Sequence, residues 1–307
     1  MSSTSPAERV VATPRSWRQS PWFTYGPLVV LFAITAVIAF ALTGQYQIAA
    51  AKGLVQGLGE PLPISSSAHL IITPWLFNWN DPFFDSQTLD VALHMGTLVA
   101  LLGFFWRDWL NLTLNAHRPQ TEQGRLFWLL VLASVPGALI GFVLDTVAEN
   151  FFAERYLVIA VALAVMGVIL YIADTYAPRE YELDKITWRM ALAIGMSQAL
   201  ALIPGVSRSG STMTMGRVLK LKRETSARFS FLMAVPITVG AGLFKLRKLD
   251  PSMITPPFWL GIAVSTFVGA LAIGFLLRYV RTRSFLPFVI YRVLFAGLIV
   301  AVYLLRT

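Results

Sequence analysis

Long apolar runs recur through this sequence and limit what the chain can fold into. Each run is close to or above the roughly 18 residues that an α-helix needs to cross a bilayer, whereas barrel strands are much shorter. The runs lie near residues 24–44, 89–106, 126–144, 156–174, 229–244, 259–279 and 286–305. Hydrophobic residues make up 56% of the chain and charged residues only 13%. The sequence therefore predicts an all-α polytopic membrane protein whose first partner is the phospholipid bilayer.

Two further apolar segments are interrupted by residues that break helices. The interruptions are Pro61, Pro63 and Pro74 in residues 47–77, and Pro204, Gly205 and Gly210 in residues 190–218. Such segments are typical of broken helices that enter the membrane and return to the same side. The sequence therefore predicts two re-entrant hairpins beside the continuous spans.

The distribution of basic residues gives an orientation. With the N-terminus in the cytoplasm and each hairpin returning to its own side, most of the 25 lysines and arginines lie in inner loops, as the positive-inside rule requires. Residues 245–250, with three basic residues outside, are the exception. The same rule explains the net charge of +9, so no nucleic-acid partner is expected. The chain has no cysteine, which excludes disulfides and thiol chemistry.

This topology divides the chain into an extension and two halves. Residues 1–21 are polar and the apolar run after them has no clear small-residue cleavage site, so we expect residues 1–45 to form a cytoplasmic tail and an extra, uncleaved N-terminal span. The remaining residues, 46–307, would contain six core spans and the two hairpins. Because the first hairpin enters from outside and the second from inside, halves near 46–175 and 186–307 are predicted to form an inverted repeat.

The two broken segments also resemble each other in sequence. One reads QGLGEPLPISSS from Gln56, and the other reads QALALIPGVSRS from Gln198. After each break a new half-helix begins, and its first turn offers unpaired backbone N–H groups and a positive dipole end. Two such ends that meet near the middle of the membrane would bind an anion.

Arg208 strengthens the case for an anion, because a guanidinium in an apolar segment costs roughly 2.5–3.5 kcal/mol unless a partner compensates for it. A phosphate would do so through two hydrogen bonds. The alternative is an internal ion pair with Glu60. The two interpretations are compatible, since a carboxylate can hold the arginine until an anion arrives.

The residues after Glu60 add candidates for phosphoryl chemistry. Ser65, Ser66 and Ser67 could cap the half-helix, pack closely or react. His69 lies three residues after Ser66, on the same helical face, within reach of its hydroxyl or of an attacking water. Among weaker candidates, His94 could line the mouth of the site. His117, Asp85 and Asp90 are expected to be solvated.

The two motifs identify a family. QGLGEPLPISSSAH followed by PGVSRSGST resembles the undecaprenyl-diphosphate phosphatases, the BacA-type bacitracin-resistance proteins, over roughly residues 46–307. The resemblance implies a bacterial inner-membrane enzyme that removes the terminal phosphate of a C55 polyprenyl diphosphate and so recycles the lipid carrier of cell-wall synthesis. It also implies six spans and two re-entrant hairpins in an inverted repeat. Residues 1–45 have no counterpart in shorter members.

The resemblance also assigns roles to individual residues. Glu60, Ser66, His69 and Arg208 become the catalytic candidates, with Ser66 as the nucleophile. The substrate-binding candidates are Gln56, Ser65, Ser67, Ser207, Ser209, Gly210 and Thr212. Many members carry a second glutamate where this chain has Gln56. Members are assisted by Mg²⁺ or Ca²⁺, which here would be held mainly by Glu60 and by the diphosphate itself.

An alternative function is a lipid-carrier transporter without hydrolysis, because broken helices in an inverted repeat are also typical of alternating access. Release of inorganic phosphate separates the two functions. In either case the site is expected to open to the outer, periplasmic face. A homo-oligomer is compatible with the sequence, which does not determine the oligomeric state.

Overall fold

A computed structural model describes residues 21–79, 81, 83, 87–152, 154–245 and 249–306. Over these residues the chain is helical, and no strand occurs apart from one isolated bridge between Tyr181 and Leu221. The α-helices are α1 (Pro21–Ala41), α2 (Gly44–Gly59), α3 (Ser66–Phe77), α4 (Gln87–Phe104), α5 (Trp106–Asn115), α6 (Glu122–Phe152), α7 (Tyr156–Tyr176), α8 (Trp188–Ala199), α9 (Arg208–Val218), α10 (Arg223–Lys245), α11 (Pro256–Thr282) and α12 (Leu286–Arg306). The all-α prediction is confirmed.

Six of these helices are long and apolar enough to cross a membrane. They are α4, α6 over Glu122–Leu144, α7, α10, α11 and α12. The six predicted core spans are therefore confirmed, and the chain is a multi-pass membrane protein. The predicted N-terminal span corresponds to α1, of which Leu28–Ala39 is a shorter apolar helix. The tail, residues 1–20, lies outside the described residues.

Helix α1 packs on the side of the six-span core. Ala39 is buried in one apolar cluster with Ala50 and Leu54 of α2 and Val268 of α11. Most of its other described side chains, such as Val37 and Ile38, are exposed. Because these exposed residues are aliphatic, they suit contact with lipid rather than water.

Helix α5 was not predicted. Its single buried residue is Leu112, and it exposes Trp106, Leu110 and Leu114. Arg107 and Asp108 end the apolar run that precedes it, so the sequence indicated a loop between two spans. A short helix with large exposed apolar side chains is typical of a segment that lies along the membrane interface.

The two broken segments pack closely against continuous spans at glycines. A Cβ on Gly57 of α2 would lie 2.9 Å from the Ser265 carbonyl oxygen of α11. A Cβ on Gly195 of α8 would lie 2.2 Å from the Ala133 carbonyl oxygen of α6. Small residues at these positions allow the backbones to approach, which is how helices pack without a hydrophobic driving force in lipid.

The breaks occur where the sequence predicts them. Helix α2 ends at Gly59 and α3 begins at Ser66, while α8 and a short 3₁₀ turn end at Leu202 and α9 begins at Arg208. Ser65 and Ser207, the residues before α3 and α9, have positive φ angles of 76° and 72°. Non-glycine residues adopt this conformation only where their surroundings hold them in it. The two breaks thus share one unusual backbone feature.

One end of the bundle is joined by a buried ion network. Asp174 of α7 accepts hydrogen bonds from Arg217 of α9 at 3.2 Å, from Arg223 of α10 at 2.6 and 2.8 Å, and from the backbone N–H of Phe285 at 3.1 Å. Its side chain is only 3% exposed. A buried carboxylate that satisfies two arginines ties three helices and the start of α12 together.

Candidate active site

Glu60 lies at the C-terminal end of α2, and its carboxylate joins both broken segments. Its Oε2 accepts a hydrogen bond from the Ser66 hydroxyl at 2.7 Å and from the Gln56 amide at 3.2 Å. Its Oε1 forms an ion pair with the Arg208 guanidinium. The carboxylate is 9% exposed. The structure therefore brings together four of the predicted site residues, three from the first broken segment and one from the second.

Arg208 is the first residue of α9, and its side chain is 22% exposed. Besides Glu60, its guanidinium donates to the Thr238 hydroxyl of α10 at 2.9 Å. The internal ion pair considered as an alternative is thus present in this structure. A buried ion pair with good geometry holds both groups in place, and an incoming anion can exchange for the carboxylate.

The remaining serines connect the breaks to each other. The Ser65 hydroxyl accepts from the backbone N–H of Gly205 at 3.1 Å, and the Ser209 hydroxyl donates to the Leu62 carbonyl at 3.0 Å. Ser65 shares a hydrogen bond with Ser67 at 3.3 Å, as Ser207 does with Ser209 at 3.2 Å. These contacts bridge the two segments in both directions.

Three of the predicted substrate-binding residues have partners within α9 and α10. The Ser207 hydroxyl caps α9 by accepting from the Gly210 N–H at 3.1 Å. The Thr212 hydroxyl donates to the Arg208 carbonyl at 2.8 Å and shares a hydrogen bond with Ser230 at 2.7 Å. In this structure they therefore stabilise the first turn of the helix that carries Arg208.

His69 was expected to lie within reach of the Ser66 hydroxyl, but its ring nitrogens have other partners. Its Nδ1 lies 2.7 Å from the Ser65 carbonyl oxygen and its Nε2 lies 2.6 Å from the Tyr291 hydroxyl of α12. Its ring stacks on Phe295, with centroids 4.3 Å apart. The hydroxyl of Ser66 faces Glu60 instead, because the break bends the chain so that the carboxylate comes within reach of the first turn of α3.

Arg292, also on α12, is a residue whose position the sequence analysis did not interpret. It is fully buried, and its guanidinium donates to the carbonyl oxygens of Pro63 at 3.1 Å, Gly205 at 2.6 Å, Val206 at 3.1 Å and Leu163 at 3.0 Å. Backbone carbonyls in a break have lost their helical donors, so this side chain replaces them. A charged residue inside an apolar run was the signal that could have revealed it.

A polar row leads from Glu60 along the interface of α2 and α4. His94 lies with Nε2 3.8 Å from Glu60 Oε2, and its Nδ1 donates to the Asp90 carbonyl at 2.8 Å. Lys52, nearly buried, pairs with the Asp90 carboxylate at 2.6 Å. Asp90 is therefore not simply solvated, as was expected, because a buried lysine needs its charge. Asp85 lies outside the described residues.

The Glu60–Arg208 pair is largely buried, with the arginine side chain 22% and the glutamate side chain 9% exposed. A cavity of about 280 Å³ lies elsewhere, between α5, α6 and α10, and includes none of the predicted site residues in its lining.

The residues present can offer a cation only a few ligands. Among the described residues, no group of three or more His, Cys, Asp or Glu side chains could hold a metal ion. Gln56 donates through Nε2 to Glu60 Oε2 at 3.2 Å, and its Oε1 atom is buried without a hydrogen-bond partner. Amide and carboxylate oxygens are ligands of the type that a hard cation such as Mg²⁺ or Ca²⁺ prefers, with its other ligands coming from substrate or water.

The chain matches one protein family over most of its length. A family model described as "Bacitracin resistance protein BacA" matches residues 49–298. A protein of Pelotomaculum thermopropionicum named undecaprenyl-diphosphatase is 52% identical over 251 residues, which cover 81% of this chain and 93% of that protein. Proteins with the same name from Moorella thermoacetica (51% over 255 residues, 83% and 96% of the two chains) and Geobacter sulfurreducens (43% over 262 residues, 82% and 96%) are also similar.

Proposed function

Since this chain belongs to the bacitracin resistance protein BacA family, we propose that it is a membrane phosphatase that hydrolyses undecaprenyl diphosphate to the monophosphate and inorganic phosphate. Relatives about half identical to it bear the name undecaprenyl-diphosphatase. The observation that carries the proposal is the cluster of Glu60, Ser66 and Arg208 where the two broken segments meet. Because the relatives are named as enzymes, a transporter without hydrolysis is not favoured.

Substrate binding begins with an exchange of partners at Arg208. The terminal phosphate of the lipid takes the guanidinium from Glu60, since a phosphate can accept two of its hydrogen bonds. Glu60 then loses Arg208 as its partner while it still accepts the Ser66 hydroxyl at 2.7 Å. The carboxylate oxygen is therefore within hydrogen-bond reach of the proton that a general base must take. Phosphate binding thereby releases Glu60 from Arg208, so that Glu60 can act as the base.

Ser66 then attacks the terminal phosphorus. A bond forms between its Oγ and phosphorus, the bond to the bridging oxygen breaks, and undecaprenyl phosphate leaves with that oxygen. Glu60 takes the hydroxyl proton, and Arg208 stabilises the charge on the phosphoryl oxygens. In the second step water attacks phosphoserine: a bond forms between the water oxygen and phosphorus, and the bond between phosphorus and Ser66 Oγ breaks. His69 takes a proton from the water, and Glu60 returns its proton to Ser66. The imidazolium then gives its proton to the departing phosphate.

A divalent cation, Mg²⁺ or Ca²⁺, would be held by the Glu60 carboxylate, the Gln56 Oε1 atom and diphosphate oxygens, and would neutralise charge on the leaving group. The cation concentration that Gln56→Glu needs for half-maximal activity tests this assignment. An added carboxylate supplies a stronger oxygen ligand, so half-maximal activity should require less Mg²⁺ or Ca²⁺. The same cation requirement in both proteins would contradict it.

The proposal extends to the architecture. Helices α2–α3 and α8–α9 are two re-entrant hairpins, and the halves near residues 46–175 and 186–307 form an inverted repeat. Matched features support this: Ser65 and Ser207 share a positive φ, and α2 packs on α11 as α8 packs on α6. Residues 1–45 form a separate cytoplasmic tail and anchor, which the peripheral packing of α1 supports.

The orientation follows from charge. The basic residues Arg217, Lys220, Lys222 and Arg223 lie at the end of α9, in the turn that follows and at the start of α10, so that end faces the cytoplasm of a bacterial plasma membrane. The first hairpin, His94 and the mouth of the site then face the outer side.

Phosphate release from undecaprenyl diphosphate by the purified, bilayer-reconstituted protein tests the function. The parent and an Arg118→Ala control, which changes an exposed loop arginine, should both release phosphate, and Arg208→Ala should not. A folded parent that releases none in the presence of Mg²⁺ or Ca²⁺ would disprove the proposed activity.

A further inference from the structure

The imidazole of His69 is held from three directions. The Ser65 carbonyl lies 2.7 Å from Nδ1, the Tyr291 hydroxyl lies 2.6 Å from Nε2, and the Phe295 ring stacks on one face within 4° of parallel. Histidine side chains in helices ordinarily choose between rotamers, but here each alternative loses two hydrogen bonds and a stacking contact. The ring is therefore fixed at one place beside the first turn of α3.

The partners also determine where the ring protons are. A carbonyl oxygen only accepts, so Nδ1 carries the hydrogen that bonds to Ser65. In the neutral ring, Nε2 is then the atom with the free electron pair, and the Tyr291 hydroxyl must donate to it. Tyr291 thus meets the one ring nitrogen that can take up a proton.

We propose that Tyr291 is a positioning residue for the phosphatase reaction, which holds the neutral His69 ring with Nε2 unprotonated until the phosphoserine is hydrolysed. This rests on the proposed function, which gives His69 the proton of the attacking water. The adjacent Arg292 fixes the same helix to both breaks through the Pro63 and Gly205 carbonyls, so Tyr291 is placed by an anchored stretch of α12. Nε2 takes up the proton only when the Tyr291 hydrogen leaves its electron pair. The protonated Nε2 is then a donor and the Tyr291 oxygen can accept from it, so the pair is hydrogen-bonded before and after the transfer.

Two measurements on Tyr291→Phe test this role, with Tyr171→Phe as the matched control because it removes an exposed tyrosine hydroxyl from α7. The first is ¹⁵N NMR of histidine-labelled protein in bilayers, which is tractable because the chain has three histidines. We expect the Nε2 signal of His69 to move in Tyr291→Phe and to stay in place in Tyr171→Phe. An unmoved signal in Tyr291→Phe would overturn the hydrogen bond, whatever the enzyme's activity.

The second measurement is a kinetic double-mutant cycle with His69→Gln. With His69 present, Tyr291→Phe should lower kcat about tenfold and leave KM within about twofold. A tenfold loss is at the lower end of what is seen at metal sites when a partner that orients a functional histidine is removed. With His69→Gln, Tyr291→Phe should cost nothing further, because residues that act as a unit are not additive. Equal losses in both backgrounds, or unchanged kcat with His69 present, would overturn the positioning role. A parent without phosphate release would instead contradict the proposed function and leave the NMR result intact.

Discussion

At the scale of single residues, the proposed mechanism depends on the pairing of Glu60 with Arg208. Both groups are largely withdrawn from water, so removing either leaves the other charge uncompensated. An arginine in this place supplies two parallel donors, and the same geometry suits a carboxylate before binding and a phosphate after it. The proposed chemistry thus depends on the planar shape of the Arg208 guanidinium as well as on its charge.

Arg208→Lys separates shape from charge. Lysine can keep an ion pair with Glu60, so the protein should still insert and fold, but a single ammonium cannot bind the phosphate through two nitrogens. We expect turnover to fall by about 100-fold or more, comparable with the loss of a transition-state donor. Phosphate release compared with Arg118→Lys at equal protein levels measures it. Near-normal turnover would show that binding of the phosphate through two nitrogens of Arg208 is not required.

Ser66→Ala distinguishes a serine nucleophile from water. If Ser66 attacks, the variant should bind substrate but lose several orders of magnitude in kcat. Ser134→Ala is the matched control, since the buried Ser134 hydroxyl of α6 donates to the Leu130 carbonyl of its own helix at 2.8 Å, and it should lose little. Turnover of Ser66→Ala within about tenfold of the parent would leave a water, positioned by Glu60, as the attacking group.

At the scale of elements, the two breaks depend on a helix that follows them in sequence. Arg292 of α12 supplies donors to carbonyls of both breaks. Arg292→Met keeps an unbranched side-chain stem and removes these donors. We expect a loss of about 1–3 kcal/mol for each carbonyl left without a donor, seen as a lower thermal unfolding temperature in detergent. Arg278→Met, at an exposed position of α11, is the control, and equal melting of the two variants would show that the breaks do not need Arg292.

The elements also show what the sequence could and could not predict. Spans were predictable because their apolar length reflects the thickness of a bilayer, and the breaks were predictable because proline and glycine act locally. Helix α5 was missed because two charged residues, Arg107 and Asp108, end the preceding apolar run and the leucines after them alternate with asparagine and threonine. The partner of His69 could not be predicted, since Tyr291 lies 222 residues away in sequence and no local pattern reports such a contact. The proximity of Glu60, Ser66 and Arg208 followed from the paired motifs.

At the scale of the whole molecule, the absence of native cysteine makes the orientation easy to measure. Ser252 lies near the start of α11, and Lys185 precedes α8 at the opposite end; both are exposed. We expect Ser252→Cys to react with an impermeant maleimide in intact cells and Lys185→Cys to react only after permeabilisation. The reverse pattern would mean that the site opens to the cytoplasm. The cysteine-free parent gives the background.

The unequal contents of the two breaks have a consequence for the cell. Counted from Gln56 and Gln198, the position of Glu60 in the first segment corresponds to Leu202 in the second. In the proposed repeat, one segment thus contributes the acid and the hydroxyl and the other contributes the cation, so a single reaction centre forms where symmetry would allow two. If this centre opens to the outer side, as proposed, the enzyme acts on lipids from one leaflet only. Only carrier molecules on that side then lose their terminal phosphate. Because hydrolysis is effectively irreversible, whereas movement of the lipid between leaflets is reversible, the reaction makes the carrier cycle run in one direction.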